Sequence, residues 1–427
     1  MNGHSLRSFL DPSTLAAHRP STGTTHSSSS PQDTPGARLR KVFWFHSGGW
    51  RTGAAISYVG VHNAWSFARL GIDSQLVIPS ASAQPDVAAD LADYYAVAAH
   101  PRLRIEPLCL ERRWWHLRHP LYVRAERLAQ KAAAGGEPLL VLTREPRFLP
   151  ALARLARRPN VIALYEPHYL FIDQSWRDDA ISAGDRKRGE LERRYLPQIS
   201  GLLCITAEQA RLYRQQLPEL PIHCAPLGTK PELIASAGEE ESWRQRRTLA
   251  YIGHLRAFKG VDALVGLSRQ LQQRRIRASF FGGTAEEAES YRRQDRGHGG
   301  EHSWQPFLPP AKMFSALAAS ASVGVVALED TFYNRHLTCP VKALDFLSLG
   351  MPVVAADLPS TRQVLGDAAY YFAPGDMDGL LAALSTLLDS PTAYRTAAAA
   401  SRRRAEQLAW PTRARGILDF AARLTTG

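Results

Sequence analysis

The sequence predicts an α/β protein of two doubly wound halves, each a parallel sheet with helices on both faces. Three observations predict it. From Lys41 onward, short β-branched or aromatic runs alternate with longer helical patterns, as parallel sheets with crossover helices require. The alternation restarts near Arg247, after a stretch at 226–243 that mixes proline, glycine and charge. Glycines also sit just past several strand ends, where open α/β sheets gather their ligand loops.

In order, KVFWFH at 41–46 reads as the first strand, followed by SGGWRTG at 47–53 and a helix to about Leu70. Further strands are expected at 75–78, 139–142, 161–165 and 201–205. The stretch at 226–243 is expected to link the halves. The second half opens with the strand TLAYIG at 248–253, an amphipathic helix at 260–275, and a strand at 278–281 that ends in Gly282 and Gly283. A helix at 310–319, a strand at 323–328, a helix at 340–349, a strand at 352–356 and a helix at 376–388 complete it. The expected division is therefore a Ser/Thr-rich disordered tail at 1–38, a first domain at 39–228 and a second at 229–409, followed by a last helix at 410–427.

Composition narrows the class. The 427 residues are 45% hydrophobic and 22% charged, which excludes wholesale disorder. The longest nearly uncharged apolar run, 314–328, has 15 residues, short of the roughly 18–20 that a spanning helix needs. Four cysteines without a CxxC pair point to neither a zinc site nor a disulfide framework, and a reducing cytoplasm is expected. The first 38 residues lack the compact apolar core of a secretory signal. Neither GxGxxG nor GxxxxGK[ST] occurs, which argues against a dinucleotide dehydrogenase and a P-loop ATPase.

The net charge of +12 is uneven. Between Arg102 and Arg158 there are 13 Lys/Arg against five Glu, a surplus of +8. Such a surface serves solubility or meets anionic lipid or a phosphorylated acceptor, with Trp114 and Trp115 at the boundary. No nucleic-acid-binding signature accompanies it.

Candidate site residues gather at strand ends. Gly49, after the first strand, either lets backbone N–H groups approach an anion or turns the chain with positive φ. Gly253, His254, Arg256 and Lys259 follow a strand and precede a helix, a cluster suited to a diphosphate; a surface loop is the plainer reading. Pro340 and Val341 open a helix whose free N–H groups can face an anion. On that helix Asp345 can accept hydrogen bonds from ribose hydroxyls, or pair with Lys342 on the surface. Glu166 and His168 follow the strand at 161–165, where a histidine can act as a base or hydrogen-bond a sugar. The only Asp-x-Asp, Asp376 and Asp378, reads as a helix start, so no metal site is expected.

YIGHLRAFKGVD at 251–262, FFGG at 280–283, ASVGVVAL at 321–328, PVKALDFLSLGMPVVAAD at 340–357 and GDAAYYFAPGD at 366–376, in this order and spacing, resemble glycosyltransferase family 4. The resemblance covers most of 41–425 and implies a GT-B fold, two Rossmann-like domains facing a central cleft, with the last helix crossing back to the first. It implies sugar transfer from a nucleotide-sugar donor, a substrate rather than a cofactor, with retention and without metal, in cell-surface glycan or glycolipid synthesis. It places Lys259 and a basic neighbour on the diphosphate, Asp345 on the ribose, Thr338 to Val341 and Gly49 near the phosphates, His168 beside the transferred sugar and Phe307 near the base. The chain departs from the pattern at His254, where arginine is usual, at Asp345, a shortened glutamate, and at Leu337, where a first glutamate is common. Glu329, Asp330, Asn334 and His336 are candidates to replace that glutamate. The expected partners are the donor, a glycan or lipid-linked acceptor, and an anionic membrane surface through 102–127, without nucleic acid; the expected place is the cytoplasm, peripheral to the inner membrane face. A nucleotide-sugar epimerase and a non-catalytic nucleotide-sugar binder stay open as alternatives.

Overall fold

The computed structural model describes residues 39–425, apart from 54, 83, 110–118, 178, 237–239 and 256–258. The expected tail at 1–38, the tryptophan-bearing part of the basic segment and Arg256 lie outside the described residues.

The first lobe runs β1 (Lys41–Phe45), α1 (Ala55–Arg69), β2 (Asp73–Ser80), α2 (Val87–Asp93), β3 (Leu103–Cys109), α3 (His119–Ala133), β4 (Leu139–Thr143), α4 (Leu149–Ala156), β5 (Val161–Tyr165), α5 (Ala183–Tyr195), β6 (Gly201–Cys204), α6 (Ala207–Gln216) and β7 (Ile222–Cys224). Its seven strands are all parallel, in the order β3-β2-β1-β4-β5-β6-β7. The central strands are apolar throughout because both faces are covered. Val42 and Trp44 enter one core with Leu140, Leu142 and Ile162. Phe43 and Phe45 enter the other with Val141, Ala163 and Tyr165.

The second lobe runs α7 (Glu240–Arg246), β8 (Thr248–Ile252), α8 (Val261–Gly266), α9 (Ser268–Gln273), β9 (Arg277–Phe281), α10 (Ala285–Gly297), β10 (Ser303–Gln305), α11 (Pro310–Ser320), β11 (Val323–Val326), α12 (Val341–Ser348), β12 (Val353–Ala356), α13 (Pro359–Leu365), β13 (Ala369–Phe372), α14 (Met377–Asp389) and α15 (Pro391–Gln407). Its six parallel strands follow the order β10-β9-β8-β11-β12-β13. Helix starts follow side-chain chemistry. Thr284 and Glu287 form a capping box, and Asp376 accepts from the Gly379 N–H, so Asp376 starts a helix.

The chain crosses between lobes twice, near Thr229 and Ala409, and these residues pair side by side. The last helix, α16 (Trp410–Arg423), packs on the first lobe: Ala414, Ile417 and Ala421 share a core with Val42 and Trp44.

Three expectations change. The helix expected at 260–275 is two short helices broken at Leu267. The expected linker at 226–243 carries a 3₁₀ turn at Pro231–Ser236 and the start of α7, whose Trp243 is buried in the second lobe. Strands β3, β7, β10 and β13 were not expected. Among the described residues no helix is long and apolar enough to cross a membrane.

Candidate active site

In both sheets the strand order reverses once, between β1 and β4 in the first lobe and between β8 and β11 in the second. The crevices beyond the carboxyl ends of those strands are where doubly wound sheets bind ligands. They face each other here: Tyr169, after β5, lies 5.2 Å from Tyr333, after β11. His168 also feels the charge of Lys259 from the other lobe.

On the first-lobe side, Gly48 and Gly49 follow β1 without positive φ, so the tight-turn explanation does not hold. Crowding demands the glycine: a Cβ on Gly48 would lie 2.9 Å from the His46, Ile56 and Ser57 side chains. The Gly49 carbonyl accepts from Ser57 Oγ at 2.7 Å and Thr52 Oγ1 at 3.0 Å, which fixes the loop.

Glu166 does not face the cleft. It is fully buried, between Arg144 at 3.2 Å and Arg413 of α16 at 2.5 Å. Clamped between two guanidiniums and sealed from solvent, Glu166 is a structural anchor rather than an acid or base. Arg413 also donates to Asn63 and to the Pro226 carbonyl, which ties α1, the crossover and α16 into one node.

Arg144 carries that node to His168, with Nη2 lying 3.1 Å from Nδ1. A guanidinium only donates, so Nδ1 accepts and the ring proton sits on Nε2. The packed walls around the ring, then the charges of Arg144 and Lys259, hold its pKa below the ordinary imidazole value, although solvent still reaches the ring. His168 is therefore poised as a neutral Nε2–H donor, and the expectation of a base gives way. The flanking carbonyls of Pro167 and Tyr169 accept from Gln209 Nε2 at 3.1 and 3.5 Å.

On the second-lobe side, Gly253 and Gly282 close the ends of β8 and β9 with φ of +128° and +149°. A Cβ on Gly282 would overlap the Gly253 carbonyl. Gly253 lies against Lys342, whose Nζ sits 4.0 Å from the centre of the Tyr251 ring and has no hydrogen-bond partner among the described residues. Burial, and then the nearby Lys259 charge, bring its ammonium down to about 7. Burial lowers Lys259 as well, and its Nζ lies 5.6 Å over the Tyr333 ring. Thr338 and Val341 sit just before and at the start of α12, with Pro340 as the N-cap.

Asp345 makes no surface pair with Lys342. It is 7% exposed, and burial raises its carboxyl to about 7 against the pull of Lys230. Lys230, which no local pattern singles out, is buried. Its Nζ donates to the Tyr95 and Ala96 carbonyls at 3.0 and 3.3 Å and lies 5.1 Å from the Tyr58 and Phe314 rings. Its burial brings it down to about 8. His254 is exposed, with its carbonyl accepting from the Tyr251 hydroxyl. Phe307 is 43% exposed, and its ring faces Gly53 of the first lobe.

The loop after β11 folds as a π-helical turn at Tyr333–Leu337 and docks on the first lobe. Leu337 is fully buried in that lobe's core. Phe332 stacks on Trp176 at 4.7 Å, and Thr206 Oγ1 donates to the His336 carbonyl. Asp330 pairs with Arg335 and His336 with Glu208, and Asn334 bonds the Glu329 carbonyl. Of the four candidates to replace a carboxylate at 337, Glu329 alone keeps an exposed side chain without a partner among the described residues.

Beside His168 a cavity of about 430 Å³ opens in the first lobe, lined by Ser47, Arg144, Glu145, Arg147, Tyr169 and Arg188 among others. A second, of about 450 Å³, lies at the amino ends of β1, β2 and β4, away from the crevices. Among the described residues no cluster of three or more His, Cys, Asp or Glu side chains is disposed to hold a metal.

Residues 246–390 match the family described as Glycosyl transferases group 1. No curated protein matches the sequence. Solved structures are similar over most of their length. A sucrose-phosphate synthase from Thermosynechococcus elongatus has a TM-score of 0.65 and 18% identity, covering 88% of this chain and 97% of that one. HepE from Anabaena, in complex with UDP-glucose, has a TM-score of 0.62 and 14% identity, covering 88% and 98%. A TarM variant from S. aureus, in complex with UDP, fondaparinux and α-GlcNAc-glycerol, has a TM-score of 0.65 and 8% identity, covering 90% and 100%. At these identities the likeness is one of fold, and the fold is GT-B.

Proposed function

We propose that this chain, a GT-B glycosyltransferase by its group 1 segment and its fold, moves a sugar from a nucleotide-diphosphate donor to an acceptor hydroxyl in the cleft between its lobes. The observation that carries this reading is the convergence of Lys259, Lys342 and His168 at the facing crevices of two parallel sheets. Breaking the anomeric C–O bond puts positive charge on the sugar and negative charge on the departing diphosphate. Lys259, Lys342 and the first N–H groups of α12 supply the compensating charge, usually the largest catalytic contribution. Because side chains provide it, the reading invokes no metal and no resident cofactor. In this reading Asp345 takes the ribose, His168 donates from Nε2 to the transferred sugar, and Phe307 borders the base. The acceptor enters the cavity beyond His168.

Retention at the anomeric carbon, a glycan or lipid-linked acceptor, a cytoplasmic site of action and contact with anionic membrane through 102–127 belong to the same reading and rest on the resemblance and on charge. The test is donor turnover. Purified protein is incubated with UDP-, GDP- and ADP-sugars, with and without acceptor mixtures, and products are resolved by mass. Transfer or slow donor hydrolysis that falls in Lys259→Gln and Lys342→Gln supports the proposal. An epimerised sugar formed from donor alone would replace it with an epimerase. A second reading, a non-catalytic binder, draws on Leu337, which fills the first lobe's core where a carboxylate is expected. Tight donor binding without turnover of any donor would favour it.

A further inference from the structure

We infer that the acceptor is an anionic saccharide, its phosphate or carboxylate gripped by Arg147 and Arg188 at the cavity beyond His168; this rests on reading the cleft as a sugar-transfer site.

The cavity of about 430 Å³ is lined by three guanidiniums, of Arg144, Arg147 and Arg188, and by one carboxylate, Glu145. That carboxylate is already engaged. Ser47 Oγ donates to Oε2 at 2.5 Å, and the Arg147 N–H donates to Oε1 at 3.2 Å. The carboxylates behind the wall are shared: Glu166 serves both Arg144 and Arg413, and Asp185 serves both Arg188 and Arg177, which also pairs with Asp179, so five guanidiniums meet four carboxylates counting Glu145. The wall is therefore incompletely neutralised.

The two arginines at issue are held on rigid supports. Arg147 sits in the 3₁₀ turn Pro146–Phe148, pinned by the fully buried Phe148 and capped by Glu145. Its guanidinium is exposed and has no partner among the described residues. Arg188 projects from α5 with its Cζ 5.5 Å from the Phe171 ring. A Cβ on the adjacent Gly189 would meet the Phe171 carbonyl at 2.5 Å, so helix and loop are locked together. A guanidinium fork matches a phosphate or carboxylate two donors at a time, which a neutral hydroxyl cannot replace. Tyr122, Tyr169 and Phe171 add aromatic side chains to the lining, the mix of apolar wall and a few placed polar groups that small-molecule sites use.

The experiment uses the full chain with glucose 6-phosphate, glucuronate and glucose as probes. Binding is followed by saturation-transfer NMR and calorimetry, with and without a saturating nucleoside diphosphate (UDP, GDP or ADP, whichever binds best). One or both anionic sugars should bind about tenfold or more tighter than glucose, and should stay bound beside the nucleotide. Arg147→Gln and Arg188→Gln should each remove the preference; circular dichroism and nucleotide binding confirm that the variants fold. The inference is overturned if glucose binds equally well, if no probe binds, if the nucleotide displaces the anionic sugars, or if both variants keep the preference. Nucleotide binding without anion preference sinks this inference and leaves the transferase reading standing. Failure to bind any nucleotide sinks that reading instead.

Discussion

At the scale of single residues, the site is governed by who can donate and who must accept. His168 is held by Arg144, which offers only protons, so its tautomer is fixed by a neighbour rather than by the ring itself. Long-range ¹⁵N NMR should find His168 protonated on Nε2. In Arg144→Gln the tautomers should mix and the imidazole pKa should rise towards its ordinary value. An unchanged tautomer would show that Arg144 plays no such part. Lys342 makes a prediction about pH. Its ammonium titrates at about 7 in the free protein, and a bound diphosphate would draw it back towards about 10.4. Between those values binding takes up a proton, so affinity should be highest below about pH 7 and weaken above it. A phosphate with a second pKa of about 6 is already ionised there and adds nothing to the trend. Calorimetry in two buffers of different ionisation enthalpy measures the uptake; proton release would contradict the placement. Glu166 shows what single residues conceal in sequence: its position at a strand end marks it for chemistry, yet Arg413, 247 residues away, turns it into an anchor. No local pattern announces that.

At the scale of elements, legibility followed covering. β4 and β5, LLVLT and VIALY, are buried at every position and read as strands without context. β3, LRIEPLC, is an edge strand that mixes charge and proline, and β7 and β10 have three residues each; such segments are stabilised by the neighbour they pair with, which a sequence does not display. The helix expected at 260–275 breaks at Leu267 just after Gly266, a residue that weakens helix continuity. The glycines that end β8 and β9 mark ligand loops in the sequence, but what requires Gly282 is visible only in three dimensions: the turn after β9 presses on the Gly253 carbonyl. Gly282→Ala forces a Cβ into that carbonyl at φ +149°. It should cost about 1–3 kcal/mol in urea unfolding and weaken nucleotide binding together with stability. A variant as stable as the parent would show that the turn can relax.

At the scale of the whole molecule, the two lobes are joined by more than their crossovers. Lys230 reaches from the first crossing segment to carbonyls of the first lobe, the loop after β11 docks on that lobe, and α16 returns to cover its sheet. Trp410, 2% exposed, packs on Gly228 and His62 where the chain recrosses. Trp410→Ala should cost about 3–5 kcal/mol in equilibrium unfolding, and a loss below about 1 kcal/mol would mean the crossover is not packed as described. The division into two doubly wound halves was readable because alternation restarts at Arg247. The closeness of the lobes was not, since it depends on Phe332, Tyr333 and Leu337 lying in a segment without periodicity. The central claim is that Lys259 and Lys342 grip a nucleotide's diphosphate between those lobes, and the most direct measurement is calorimetric titration of UDP, GDP and ADP into the parent protein, Lys259→Gln and Lys342→Gln at pH 7. At least one nucleotide should bind the parent, added salt should weaken it, and each substitution should weaken it about tenfold or more; binding that both variants retain in full, or no binding to the parent at all, would rule that grip out.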